Sequence, residues 1–275
     1  MTGDPTPEAS LNIYVCPICK GPLTQADGSL RCPACSQTYP IQGRIPDFLR
    51  ENLARSQDPE LRRMTAIDRM AKIYESKLWY SVVLAVYGGF ESPSLPQLIA
   101  KVTQKLDSVQ GRVIDIACGP GTYGRHVATS SRKVFGIDVS MGMLRQGVAY
   151  CAEEGIPNMQ FARARVEALP FADDLFDAAL CCGSLHLFTD TVAALREIAR
   201  VTKPGAILSV FTFTAGRSGA LRFPKFREWS RRHGLHIFEL PEMERYLADS
   251  GFRDFRPEVF GSVLTFTARR VPALA

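Results

Sequence analysis

The chain has 275 residues, 46% of them hydrophobic and 22% charged, and carries a net charge of +5 at pH 7. That is a globular composition, with length for one α/β domain of ordinary size plus a small appendage, and it excludes a chain dominated by low-complexity or strongly charged tracts. No uncharged apolar stretch approaches the roughly 18 residues of a membrane span, and the polar start MTGDPTPEAS lacks the apolar segment of a secretory signal, so a cytoplasmic protein is expected.

Residues 1–10 are expected to be a disordered lead. The segment 11–50 contains Cys16-Pro-Ile-Cys19 and Cys32-Pro-Ala-Cys35. Two such knuckles supply the tetrahedral sulfur set that a structural zinc ion prefers, with no coordination position left for chemistry. Without an export signal, disulfides are the poorer reading. Gly21 can supply the permissive φ of the first knuckle, and Gln37 stands at the matching place in the second. So short a segment buries little core, so metal binding should largely drive its folding.

Residues 51–108 read as a helical linker and cap. The stretch 49–66 is charged, and Ile67 to Tyr87 turns amphipathic, with Met70, Ile73, Tyr74, Leu78, Trp79, Val82, Val83 and Val86 near helical spacing. Gly88-Gly89 stops it. The aliphatics suit a core face, whereas Tyr74, Trp79 and Tyr80 are candidates for a pocket wall. Leu95 to Leu106 should form the helix that leads into the first strand of a second domain, residues 109–275.

That domain is organised around RVIDIACGPGTYG, Arg112 to Gly124. Val113 to Ile116 form an apolar run of the buried parallel-strand kind, and Gly119 and Gly121 break it where a helix can begin. The string also satisfies G-x-G-x-x-G, a weak signal for a dinucleotide site. Two residues argue against a pyrophosphate: Pro120 has no N–H to donate, and Asp115 adds negative charge near the strand end. Asp138 ends the second strand, where an acid accepts hydrogen bonds from ribose hydroxyls. The turn therefore suits a cationic nucleoside without phosphate, a description that S-adenosylmethionine (SAM) fits.

Further along, Tyr123 to Thr129 should be the first core helix, and Ser140 a plausible cap for a helix carrying Met143 and Leu144. Met143 is a candidate for the adenine face. Met159 to Ala162, Phe176 to Cys182 and Ala206 to Phe213 read as the third, fourth and fifth strands, with an amphipathic helix from Thr191 to Val201 and a turn at Lys203-Pro-Gly205. Gly183-Ser-Leu-His186 leaves the carboxyl end of the fourth strand, where ligands bind in open α/β sheets. His186, with an ordinary pKa near 6.5, is thus the candidate acid–base group. A basic stretch from Arg217 to His233, interleaved with Phe223, Phe226 and Trp229, precedes a helix from Pro241 to Ser250. Phe252 to Val259 and Ser262 to Ala268 alternate as a closing hairpin.

Six ordered pieces, Asp115-Ile-Ala-Cys-Gly-Pro-Gly121, Gly136-Ile-Asp138-Val-Ser-Met-Gly-Met143-Leu144, Glu167-Ala-Leu-Pro-Phe171, Phe176-Asp177, Leu185-His-Leu-Phe188 and Lys203-Pro-Gly205, resemble the class I SAM-dependent methyltransferases. The resemblance is in particular to the type 11 branch that includes the ubiquinone/menaquinone C-methyltransferases. The resemblance implies an α/β fold, a Rossmann-like seven-stranded sheet behind the N-terminal zinc ribbon. It also implies a SAM site formed by Asp115, Ala117, Gly119 and Gly121 in the turn, Asp138, Val139 and Met143 after the second strand, Arg165 and Val166 after the third, and Gly183 after the fourth. The sequence departs from the family at Arg165, where many relatives place an Asp that accepts from the adenine amino group. A guanidinium is a donor only, so the adenine edge would depend on backbone near Val166. Residues 11–50 resemble the small zinc-ribbon protein that activates several tRNA, rRNA and protein methyltransferases, and the zinc module of bacterial large-subunit rRNA guanine methyltransferases. This implies that zinc on Cys16, Cys19, Cys32 and Cys35 is structural.

Three functions are compatible with these residues. The first is methyl transfer from SAM to a small apolar or aromatic metabolite, with catalysis by alignment and water exclusion. The second is rRNA or tRNA methylation, with RNA gripped by the ribbon and the basic 217–233 segment. The third is a non-catalytic SAM-binding scaffold, whose one support is Arg165.

Overall fold

The computed structural model describes residues 11–49, 77–129, 132–216 and 218–272. The expected lead at 1–10, the charged stretch and the first part of the amphipathic pattern, including Tyr74, lie outside them, as does Arg217.

Two sheets form. The smaller joins β1 (Thr24–Ala26), β2 (Ser29–Arg31), β3 (Thr38–Gln42) and β4 (Ile45–Pro46) in sequence order, all antiparallel. The larger contains β5 (Gly111–Ile116), β6 (Arg132–Asp138), β7 (Met159–Arg163), β8 (Phe176–Cys182), β9 (Thr202–Phe213), β10 (Phe252–Phe260) and β11 (Val263–Arg270), in the order β10-β11-β9-β8-β5-β6-β7. The five strands from β5 to β9 are parallel to their neighbours, and β11 inserts antiparallel between β9 and β10. The direction of strand addition reverses at β5 and β8, which opens a crevice at their carboxyl ends.

The larger sheet is accompanied by helices α1 (Lys77–Val83), α2 (Leu95–Thr103), α3 (Gly124–Val127), α4 (Met141–Glu153), α5 (Thr191–Val201), α6 (Pro224–Arg232) and α7 (Leu240–Asp249). The apolar runs explain its centre. Val113, Ile114 and Ile116 in β5, and Phe176 and Ala178 through Cys181 in β8, are all buried, as expected of strands covered on both faces. Ser140 caps α4 by accepting from Met143 N at 3.1 Å, and α5 starts on Asp190, which accepts from Ala193 N.

Several boundaries differ from the sequence reading. The expected Tyr123 to Thr129 helix is a single turn, because Ala128 leaves the helical region at ψ 111°. The helix from Leu95 tightens to a three-residue-per-turn form over Gln104–Leu106. Lys203-Pro-Gly205 lies inside β9 as an irregularity, where pairing jumps from Phe176↔Thr202 to Ala178↔Ile207. The amphipathic stretch continues past α1 as a wide π turn, Leu84–Gly88, ended by Gly89 at φ 84°.

The ribbon closes one edge of the large sheet. Tyr14 bridges Phe171 and Asp47 bridges Arg163 of β7, while Val15 N donates to Pro170 O and Phe48 N to Arg163 O. The open backbone of the edge strand is thereby partly paired. Rings carry the core across the join: Tyr14 lies 5.3 Å from both Phe48 and Phe171, and Phe171 lies 4.8 Å from Phe176, edge on. Among the described residues no helix is long and apolar enough to cross a membrane.

Candidate cofactor site and metal centre

The glycine turn sits at the carboxyl end of β5 and is tied down on every side. Cys118 N donates to Ile137 O, Gly121 N to Cys118 O, and Arg125 N to Gly121 O. Arg125, itself buried, donates through Nη1 to Pro120 O at 2.7 Å and pairs with Glu154. Gly121 needs its positive φ of 79°. Gly124 is required for a different reason: a Cβ there would stand 2.6 Å from Asp115 Oδ2. That close approach lets Gly124 N donate to the same oxygen at 3.0 Å. Ala117 takes a left-handed φ of 49° without being glycine, a strain of roughly 1 kcal/mol or more, and its carbonyl accepts from Ser184 Oγ. This bond links the turn to the segment after β8. Gly183, at φ 77°, donates its N–H to Phe211 O there.

The two acids have different surroundings. Asp115 is 1% exposed and lies beneath the turn. Burial pushes its carboxyl up to about 7; the Gly124 N–H and Arg125 oppose that, and the charge of Asp138 adds to it. Asp138 is only partly buried. Its Oδ2 accepts from Gly119 N and its Oδ1 from Ser140 N, each at 2.8 Å. The carboxylate thus joins the turn to the start of α4. Met143 is buried on α4, and Val166 is buried after β7. Arg165 is half-buried and pairs with Glu167 at 3.3 Å. The structure therefore gathers the turn, the end of β6 and the segments after β7 and β8 around one crevice.

His186 follows β8 and is buried, with Nδ1 3.3 Å from Thr212 Oγ1 and its ring 5.1 Å from Phe213. Burial pushes its pKa down to about 4, away from the near-neutral range that made it a candidate acid–base group. Around it the structure assembles an aromatic wall that sequence patterns did not single out. Phe211 and Phe213 end β9 with centroids 5.4 Å apart, Tyr123 approaches Phe211, and Tyr87 of the π turn lies 5.5 Å from Phe213. The Phe-Thr-Phe alternation of Phe211 to Phe213 at a strand's carboxyl end was the available signal. Among the aromatics proposed from sequence for this wall, Tyr80 is buried and Trp79 falls in α1. Cys181 and Cys182 are buried with thiols pushed up by burial, as suits small strand residues.

In the ribbon, the four Sγ atoms lie within 4.8 Å of one another, with Cys19 and Cys32 at 3.4 Å and Cys16 and Cys35 at 3.5 Å. A tetrahedron with Zn–S bonds of about 2.3 Å places its sulfurs roughly 3.8 Å apart, so the set fits a structural zinc ion. Two matching loops make it: Cys16 N donates to Gly21 O and Lys20 N to Cys16 O, while Cys32 N donates to Gln37 O and Ser36 N to Cys32 O. The left-handed residues are Lys20 (φ 57°) and Ser36 (φ 59°). This corrects the expectation that Gly21 and Gln37 carry them: the bend falls one residue earlier in each knuckle.

Comparison with known proteins agrees with this geometry. The family described as "Methyltransferase domain" matches residues 113–205, and the one described as "Trm112p-like protein" matches residues 9–43. A demethylmenaquinone methyltransferase of Corynebacterium kroppenstedtii is 42% identical over 120 residues, 42% of this chain and 48% of that protein. The chain thus spans about half the length of such curated relatives. An uncharacterized chloroplastic methyltransferase of Arabidopsis thaliana is 24% identical over 288 residues, covering 94% of this chain and 78% of the other. Among solved structures, phosphoethanolamine N-methyltransferase 2 of Haemonchus contortus, in complex with S-adenosyl-L-methionine, superposes with a TM-score of 0.59 at 16% identity, over 80% of this chain and 59% of that one. The chain carries a methyltransferase domain of the class I fold joined to a Trm112p-like zinc ribbon.

Proposed function

We propose that this chain, a methyltransferase domain joined to a zinc ribbon, transfers a methyl group from SAM to a small apolar or aromatic acceptor. The observation that carries the reading is the pairing of Asp138 with a turn that lacks a phosphate cradle. One of its central positions is Pro120, the N–H of Gly119 is already taken by Asp138, and a second acid, Asp115, lies directly beneath. Diphosphate would meet the Asp138 carboxylate and further oppose ionisation of the buried Asp115, whereas a cationic adenosine derivative favours the ionised form of both.

SAM supplies a methyl group on a sulfonium whose charge is lost on transfer. Asp138 would accept from the ribose hydroxyls, and the bare backbone of Gly119 would admit the ligand close to β5, whereas Gly121 is bare toward the core, where a Cβ would stand 2.8 Å from Met159 Cε. Arg165, tied to Glu167, leaves the adenine edge to backbone near Val166. The half-buried Tyr87, backed by the buried rings of Phe213 and Tyr123, gives an apolar acceptor a surface and helps exclude water, which favours in-line displacement. Held neutral by burial, His186 orients this wall through Thr212 and Phe213 and is too weak a base at pH 7 to carry the reaction.

The exposed aromatics of α6 and of the residue that precedes it favour the RNA reading: Trp229 and Phe223 are about half exposed. Against it, Trp229 is already flanked by Phe226 and His233, with centroids at 5.4 and 4.3 Å, and Arg227 and Arg232 pair with Glu239 and Glu228. The ribbon sits on β7, four strand spacings or roughly 19 Å from β9, so it does not extend the basic helix. Methyl-labelled SAM incubated with fractionated lysate tests the proposal. Label in the organic extract supports it, label in the RNA fraction overturns it in favour of nucleic acid, and binding without transfer to any fraction leaves a scaffold.

A further inference from the structure

Arg163 and Asp47 make a buried contact that the cofactor reading does not use. Arg163 ends β7, where it pairs in register with Asp138 of β6. Its Nη1 lies 3.0 and 3.3 Å from the two carboxylate oxygens of Asp47, and both side chains are more than nine-tenths buried. The same guanidinium donates through Nε to the carbonyl of Val139 at 2.8 Å. One planar fork thus holds the ribbon with one nitrogen and the bend after Asp138 with another. Asp47 is fixed in turn: its Oδ1 accepts from Leu49 N and its Oδ2 from Gln42 Nε2. Gln42 also accepts from Arg145 of α4 at 2.9 Å. The ribbon therefore touches the two pieces of backbone that set the Asp138–Ser140 bend, the end of β7 and helix α4.

A buried ion pair of this kind is weak evidence for stability, because the desolvation it requires offsets much of its attraction. Its geometry suits a positioning role better. Val139 stands between Asp138, whose carboxylate spans Gly119 and Ser140, and Ser140, which caps α4. Rotation of the Val139 peptide would turn that carboxylate away from the crevice. We propose that Arg163 is a positioning residue for the nucleoside half of the cofactor, with the ribbon, through Asp47, holding it in place. The zinc ribbon is then part of the binding site's framework. The inference rests on the SAM reading given above.

Calorimetry of the purified, zinc-loaded 275-residue chain with S-adenosylhomocysteine tests it. The double variant Asp47→Leu/Arg163→Met replaces the pair with apolar groups of similar volume, a change that commonly preserves folding, but it removes the hold on Val139. Its Kd is expected to rise at least tenfold, and by a similar factor for 5′-methylthioadenosine, which lacks the amino-acid half. Arg163→Lys keeps a cation for Asp47 and so most of the stability, yet a single ammonium does not reproduce the fork. Its melting temperature should stay near wild type while its Kd rises several-fold, a split that a merely structural pair would not give, and it serves where the double variant does not fold. A Kd within twofold of wild type in a folded variant, or weakening confined to S-adenosylhomocysteine, overturns the positioning role. Absence of binding in the wild-type protein overturns the SAM reading itself.

Discussion

The ribbon and the large sheet reach order by different means. In the ribbon the buried side chains are few, and several of them, Tyr14 and Phe48 among them, owe their burial to the join with the sheet. Four sulfurs do the remaining work, fixing two knuckles whose left-handed Lys20 and Ser36 are unfavourable on their own. In the sheet the central strands β5 and β8 are covered on both faces, and polar groups such as Asp115 are held where that burial places them. A fold closed by metal should respond to chelation, and a fold closed by packing should respond to volume and to buried charge.

The largest effect should come from removing the metal. Structural zinc contributes on the order of 10 kcal/mol to small thiolate sites. A strong chelator, or Cys32→Ser, should therefore abolish hydrogen-exchange protection over residues 11–49 while the amides of β5 and β8 remain protected. Equal loss in both regions would show that they are not distinct. Gly124→Ala attacks the other side. Its Cβ would meet Asp115 Oδ2 at 2.6 Å, and overpacking with a weakened hydrogen bond to a buried acid costs about 3 kcal/mol against roughly 1 kcal/mol of helix propensity gained. Denaturant unfolding should show a net loss near 2 kcal/mol, with zinc content unchanged.

Acid separates the regions more finely. The folded pKa of His186 is lowered to about 4 by burial, below its unfolded value of 6.5. The unfolded state therefore binds the extra proton between these values, and stability falls as pH drops through that window. Relative to His186→Gln, the wild-type protein should lose about 3 kcal/mol between pH 6.5 and 4, and the difference cancels any release of zinc by acid. Asp115 works in the opposite sense: its pKa is raised, so its contribution is present below 3.8 and declines as pH rises toward 7. A pH-independent difference between wild type and His186→Gln would place the ring in contact with solvent. The smallest effect is expected at Arg165. Arg165→Asp supplies an acceptor for the adenine amino group, a gain of about 1 kcal/mol at most, read as an up to fivefold tighter Kd for S-adenosylhomocysteine.

Much of this was legible from residue order. The apolar run at Val113 to Ile116, the strand from Phe176 to Cys182, the capped helix at Ser140 and the closing hairpin follow from local periodicity, which depends on neighbours in the chain. The two C-x-x-C pairs identified the metal centre because ligand spacing is itself local. What sequence did not disclose is long-range. Asp47 and Arg163 are 116 positions apart, and nothing in either segment announces a partner. Tyr87 meets Phe213 only because the π turn packs on the end of β9. His186 was read at its ordinary pKa because its burial is a property of the assembled crevice. The knuckle bends fall one residue before Gly21 and Gln37, because loop closure, and not the local presence of glycine, imposes positive φ on Lys20 and Ser36.

The proposed ligand of the crevice at the carboxyl ends of β5 and β8 is a cationic adenosine without phosphate. Titration calorimetry of the pure protein with SAM, S-adenosylhomocysteine and NAD tests it most directly. Saturable heat at one site for the first two and none for NAD is the expected result; heat for NAD with none for either sulfur ligand would contradict the account.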